Sequence, residues 1–139
     1  MNIMISGGGT GGHIYPAITI YKTLQTMVDA NFLYVGTEKG LESRIVPKEG
    51  LPFTTLPVQG LQRKISLDAF VTAGKTVSSL WKANRLISEF KPDVVIGTGG
   101  YVCGPLLMAA ALRGIPTLIQ EQNVVPGITN KILSRLRVG

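Results

Sequence analysis

The sequence contains a single cysteine, Cys103, and a single histidine, His13. One thiol cannot close an internal disulfide, and one imidazole excludes a histidine-based metal cluster. Aromatic residues make up only 6% of the chain, too few for the interleaved bases and rings of a nucleic-acid surface. No nucleic-acid recognition module is apparent either, so nucleic acid is not an expected partner. Long apolar runs are missing as well. The longest, Leu106 to Leu112, falls far short of the roughly 20 residues that span a bilayer, so no transmembrane helix is expected. Met1 to Ser6 carries no basic leader and runs straight into glycines, which reads as a strand and predicts a protein retained in the cytoplasm. Repeats and low-complexity tracts are also absent.

What is present is an apolar chain of 139 residues, 45% hydrophobic and 16% charged, enough to bury one core of ordinary size. Its net charge of +6 favours anionic partners such as phosphates or anionic lipid, without choosing among them. Short β-type runs alternate with longer helix-compatible stretches. The expected strands are Ile3 to Ser6, Phe32 to Val35, Phe53 to Pro57, Val94 to Ile96 and Pro116 to Ile119. The expected helices cover His13 to Met27, Gly40 to Val46, Leu67 to Phe90, Gly104 to Leu112 and Gly127 to Leu136. That order predicts an α/β fold, a Rossmann-like open parallel sheet flanked by helices on both faces. Pro57 to Ser66 reads as an exposed loop, and the end at Arg137-Val138-Gly139 looks like a cut at a domain edge.

The strongest local signal is Gly7-Gly8-Gly9-Thr10-Gly11-Gly12-His13, between the first strand and the first helix. Glycines let the main chain approach a ligand closely, and a helix N-terminus favours phosphate or diphosphate. Close packing of strand on helix would also use a glycine turn, but it requires fewer glycines than occur here. Gly7, Gly9 and Gly12 fit the dinucleotide fingerprint too; however, Tyr34-Val35 runs into Gly36-Thr37 where an acidic residue should bind a ribose, which weakens that reading. A second loop, Gly97 to Pro105, follows the fourth strand and again enters a helix. Loops at the carboxyl ends of parallel strands share one rim, so both are expected to face one crevice, joined there by Gln120-Glu121-Gln122-Asn123. A carboxylate and three amides suit sugar hydroxyls and amides. His13, beside the glycine loop, is a candidate base as a neutral imidazole or else a satisfied structural residue. Glu121 competes for the base role or serves as a hydrogen-bonding partner, and Cys103 reads as a small buried filler.

Four motifs carry a family resemblance: Gly-Gly-Thr-Gly-Gly-His at 8 to 13, Lys-Pro-Asp-Val-Val-Ile-Gly at 91 to 97, Gly-Gly-Tyr-Val-Cys-Gly-Pro at 99 to 105 and Glu-Gln-Asn at 121 to 123. Together with Val35-Gly36-Thr37, Val46-Pro47-Lys48 and Thr129-Asn130-Lys131, they make the chain resemble the MurG family almost from end to end. The resemblance implies the N-terminal half of a GT-B glycosyltransferase, residues 1–139 forming the acceptor-binding domain, with the donor-binding C-terminal domain absent. It implies transfer of N-acetylglucosamine from UDP-N-acetylglucosamine to the 4-hydroxyl of a muramyl sugar on an undecaprenyl-diphosphate precursor in peptidoglycan synthesis, with inversion and with no metal or cofactor. Residue by residue, it implies donor contacts at Thr10, Gly11, Gly12 and Asn123, and acceptor or diphosphate contacts at Gly9, Gly99, Gly100, Tyr101 and Gln122. His13 becomes the leading base and Glu121 the lesser one. Alone, the chain is expected to be inactive. The alternative is a non-catalytic subunit that binds a lipid diphosphate and recruits a separate catalytic chain to the membrane.

Apolar residues at Leu67, Phe70, Val71, Val77, Leu80, Trp81 and Ile87 recur at helical spacing, which usually marks a buried stripe. Arg63, Lys64, Lys75, Lys82 and Arg85 lie nearby, and an apolar patch ringed by bases is also what an anionic membrane surface attracts. MurG-like proteins work at the cytoplasmic face of the membrane, so the resemblance implies peripheral contact through Phe70, Leu80, Trp81 and these bases. Gly74 is a candidate helix interruption.

Overall fold

A computed structural model of the chain describes residues 1–57, 68–122 and 133–134, with side chains described in the second segment from residue 77 onward. The elements alternate as the sequence predicts: β1 (Asn2–Ser6), α1 (Gly11–Met27), β2 (Asn31–Gly36), α2 (Glu42–Lys48), β3 (Phe53–Thr55), α3 (Asp68–Phe90), β4 (Val94–Gly97), α4 (Cys103–Leu112) and β5 (Thr117–Ile119). All four pairings are parallel and the strand order is β3-β2-β1-β4-β5. The expected Rossmann-like open sheet is therefore the observed one.

Alternation along β1 sorts the core. Ile3 and Ile5 pack with Ile14, Ala17, Ile18 and Tyr21 of α1, whereas Met4 packs with Ala83 and Ile87 of α3 and Leu106 and Leu107 of α4. A central strand buried on both faces in this way has to be apolar throughout, which explains the Ile-Met-Ile run. Helices thus cover both faces.

Several boundaries differ from the sequence reading for local reasons. β3 ends at Thr55, because its ladder to β2 closes with Gly36 opposite Thr55. α2 begins at Glu42 and runs through Pro47 to Lys48, two residues beyond the expected end. α3 is continuous over Asp68–Phe90, so Gly74 does not interrupt it. The expected helix from Gly127 to Leu136 lies outside the described residues except for Leu133 and Ser134, which are helical, with Leu133 buried against the α3 and α4 layer.

The stripe expected on α3 divides. Ala83 and Ile87 are buried and Leu86 and Phe90 pack against the same cluster, but Val77 and Trp81 are 67% and 65% exposed. Core packing fills only the face one or two positions away from them. Ile87→Ala should accordingly destabilise the chain by about 2–5 kcal/mol in urea titration, while Val77→Ala should stay within about 0.5 kcal/mol of the parent. Equal effects would mean that the two faces have been misassigned.

Candidate active-site crevice

Strand order reverses between β1 and β4: from β1 the chain winds outward through β2 and β3, then returns to β1's other side and continues to β5. Crevices in open parallel sheets form at the carboxyl ends of strands where the winding direction changes. Both glycine loops lie there. The first joins Ser6 to Gly11 and the second joins Gly97 to Cys103.

The two loops are interlocked. The Gly8 amide donates to the Gly99 carbonyl at 3.1 Å and the Thr98 amide to the Ser6 carbonyl at 2.9 Å. The Thr98 hydroxyl donates to the main-chain carbonyl of His13 at 2.6 Å. Gly100, at φ +95°, approaches Gly8 so closely that a Cβ there would lie 2.4 Å from the Gly8 oxygen. Of the loop amides, Gly8's is taken by Gly99 and Gly9's by the Glu42 carboxylate. Those of Gly11 and Gly12, in the first turn of α1, meet no acceptor among the described residues. They are among the donors open to an anion, at the helix end that carries partial positive charge.

His13 Nδ1 lies 2.9 Å from the Gly8 carbonyl oxygen. A carbonyl only accepts, so Nδ1 carries the hydrogen and in the neutral ring Nε2 holds the lone pair. The ring lies over Gly99, where a Cβ would come within 2.8 Å of Nε2. Glycine at 99 makes room for the imidazole.

The end of β5 reaches the same place through a device that the sequence reading overlooked. Pro16 sits inside α1 and has no N–H to offer the Gly12 carbonyl one turn earlier. The Gln122 side-chain amide donates to that carbonyl instead. The proline signal was visible in Gly-Gly-His-Ile-Tyr-Pro, but its partner lies 110 residues away in sequence. Thr10 is exposed, Tyr101 is 49% exposed on the second loop, and Glu121 is half-buried beside Gln122. Asn123 lies outside the described residues.

Beneath the first loop are two buried groups that sequence reasoning missed. The Tyr34 hydroxyl donates to the Gly7 carbonyl. Burial, followed by the nearby Cys103 and Glu42, pushes this phenol well above its ordinary value, so it remains a donor. Glu42, fully buried, accepts from the Gly9 amide at 3.2 Å, the Thr37 amide at 2.9 Å and the Thr37 hydroxyl at 2.6 Å. Glycines at 36 and 40 hint at it, since a Cβ at either would strike its side chain. Cys103 is the buried filler expected, donating toward the Ser6 and Gly99 carbonyls at 3.3 and 3.2 Å. Burial pushes its thiol upward, which makes it a poor nucleophile.

A cavity of about 560 Å³ lined by residues including Tyr21, Gln25, Asn31 and Phe90 lies at the amino ends of the strands, opposite the glycine loops. None of the candidate site residues lines it. On α3, Trp81 projects outward with the Arg85 guanidinium 5.8 Å from its ring, and Leu80 and Lys82 are half-exposed beside it. Arg63 and Lys64 lie outside the described residues, as do the side chains of Phe70 and Lys75. No described helix is long and apolar enough to cross a membrane.

Fold and crevice define a Rossmann-like domain with a candidate site at the topological switch point. Residues 3–138 match the glycosyltransferase family 28 N-terminal domain, and the chain belongs to that family. It is 60% identical over 136 residues to the UDP-N-acetylglucosamine–N-acetylmuramyl-(pentapeptide) pyrophosphoryl-undecaprenol N-acetylglucosamine transferase of Thermoanaerobacter pseudethanolicus, covering 97% of this chain and 37% of that protein. The crystal structure of Acinetobacter baumannii MurG superposes with a TM-score of 0.85 at 36% identity, over 97% of this chain and 39% of that one. Spinosyn rhamnosyltransferase SpnG shares the fold, with a TM-score of 0.68 at 15% identity over 96% of this chain and 38% of its own. The chain thus spans well under half the length of these relatives.

Proposed function

We propose that this chain is the acceptor-side half of an inverting N-acetylglucosaminyltransferase that converts lipid I to lipid II. Its substrates are UDP-N-acetylglucosamine and an undecaprenyl-diphosphate-linked muramyl peptide, and a second Rossmann-like domain outside residues 1–139 holds most of the donor. The observation that carries this reading is the His13 imidazole, oriented through Nδ1 by the Gly8 carbonyl and left with a lone pair on Nε2 at the mouth of two interlocked glycine loops. The names of the relatives supply the sugar and the acceptor.

In the proposed reaction Nε2 takes the proton of the muramyl 4-hydroxyl as its oxygen attacks the anomeric carbon. The bond from that carbon to the UDP oxygen breaks on the opposite side, configuration inverts, and UDP departs with the electron pair. Amides of Gly11 and Gly12, with the Thr10 hydroxyl, face the donor, and Asn123 joins them. Gly99, Gly100, Tyr101 and Gln122 line the acceptor side. Gly9 serves that side by open access, because its amide is engaged by Glu42 and a Cβ there would meet nothing within 4 Å. Glu121 is the lesser base candidate. The direct test is transfer of labelled N-acetylglucosamine from its UDP donor to a lipid-linked muramyl acceptor by the full-length protein. Saturable transfer supports the reading, and its absence with properly folded protein overturns it.

The exposed Trp81, with Leu80, Lys82 and Arg85, forms one flank of a peripheral contact with the cytoplasmic face of the membrane, to which Phe70, Arg63, Lys64 and Lys75 also belong. Each base near an anionic surface contributes about 1 kcal/mol, so Arg85→Ala should weaken binding to vesicles containing anionic phospholipid about fivefold and leave neutral vesicles unaffected. Trp81→Ala should weaken both. Vesicle binding that is insensitive to either change would remove α3 from the contact.

A further inference from the structure

The geometry points to Glu42 as a positioning residue that holds the first glycine loop in the shape that orients His13; this inference rests on the proposed function of the same crevice. Glu42 is fully buried at the start of α2. Its Oε2 accepts from the Gly9 amide at 3.2 Å, and its Oε1 accepts from the Thr37 amide and hydroxyl at 2.9 and 2.6 Å. Every partner is a donor, so both oxygens must accept, a role a carboxylate fills and a carboxamide fills on one side only.

The carboxylate also limits where the loop backbone can go. A Cβ at Gly8 would lie 2.6 Å from Oε1, and at Gly40 2.3 Å from either oxygen. Gly8 and Gly9 are therefore drawn against Glu42 as closely as the missing side chains permit. Gly9 at φ +85° then turns the chain toward Thr10, which is extended ahead of α1. The Gly8 carbonyl, one bond from the Gly9 amide that Glu42 grips, is the acceptor for His13 Nδ1. Glu42 thus fixes a peptide plane with its N–H on the carboxylate and its C=O on the imidazole. Rotating that plane would release both contacts at once.

Steady-state kinetics on the full-length enzyme tests this. Glu42→Gln presents an NH2 to one of three donors, and kcat should fall about tenfold to a hundredfold while KM for donor and acceptor stays within about threefold. Glu42→Asp keeps two acceptor oxygens and should recover part of the loss. In a His13→Ala background the Glu42→Gln change should cost less than threefold further, because the group it orients is gone. Wild-type kcat in folded Glu42→Gln overturns the inference, and so does a full additional loss on top of His13→Ala. Should Glu42→Gln fail to fold, Thr37→Val, which removes one donor to Oε1, and Glu42→Asp decide, since a kcat loss in either that persists in full in a His13→Ala background overturns the inference, as does wild-type kcat in both. Unchanged turnover in His13→Ala alone would instead sink the underlying reading of the crevice, which separates the two failures.

Discussion

His13→Ala in the full-length enzyme is expected to lower kcat by roughly 10²–10⁴-fold, the usual contribution of a positioned general base, with KM for either substrate within a few-fold. The fold should survive the change. What α1 gives to the rest of the molecule at this position is its main-chain carbonyl, which accepts from Thr98, and alanine keeps that carbonyl. The ring contributes Nδ1, which donates to the Gly8 carbonyl at 2.9 Å with the Thr10 hydroxyl 3.4 Å away, and its remaining nitrogen. His13→Asn separates those two roles, because a carboxamide can donate to Gly8 but offers no basic nitrogen at Nε2. If orientation of the loop were the only function of His13, the asparagine variant would recover activity; if Nε2 takes the proton, it should be as impaired as alanine. Transfer at the wild-type rate in both would strike His13 from the mechanism and move attention to Glu121.

The parts of this arrangement that were legible in the sequence are those set by local rules. Ile3-Met4-Ile5 reads as a strand buried on both faces, and glycines between a strand and a helix mark a ligand-approaching turn wherever they occur. Alternating elements gave the parallel sheet, and the carboxyl-end rule brought the two loops to one rim before any contact was known. What stayed hidden depends on partners distant in sequence. Glu42 looks like one of eight acidic residues until its carboxylate is seen beneath Gly9, 33 positions earlier. Gln122 reads as one of several polar groups on the rim, and that its NH2 also completes the turn of α1 that Pro16 leaves open depends on a partner 110 positions earlier. On α3 the apolar residues had the right spacing for one stripe, but a helix packed on a single layer buries less than its full circumference. Trp81 and Val77 fall on the uncovered side, and no periodicity argument distinguishes a wide buried face from a narrow one with an exposed neighbour.

Gly100→Ala is expected to be the most damaging single-methyl substitution in the crevice. Two costs add there. The backbone at 100 has φ +95°, a conformation in which L side chains are strained, and the new methyl would lie 2.4 Å from the Gly8 oxygen and 3.0 Å from the Gly8 carbonyl carbon. The obstacle is main chain and cannot rotate away as a side-chain tip would. It is also backed by Glu42, whose carboxylate already occupies the space behind Gly8. The loops must therefore part, which breaks the bond from the Gly8 amide to the Gly99 carbonyl and withdraws the Gly8 oxygen from His13. Strain plus a lost loop contact should destabilise the domain by about 2–4 kcal/mol, a fall in melting temperature of roughly 10 °C. Gly50→Ala isolates the first cost, because Gly50 has φ +78° with nothing within 4 Å of its would-be Cβ. It should cost only about 1–2 kcal/mol and leave transfer activity unchanged. If melting curves followed by circular dichroism gave the same loss for both variants, the contact between the loops would contribute nothing. Activity supplies the second readout: because the displaced oxygen is the one that orients the imidazole, Gly100→Ala protein assayed well below its melting point should still be slow, with a defect approaching that of His13→Ala.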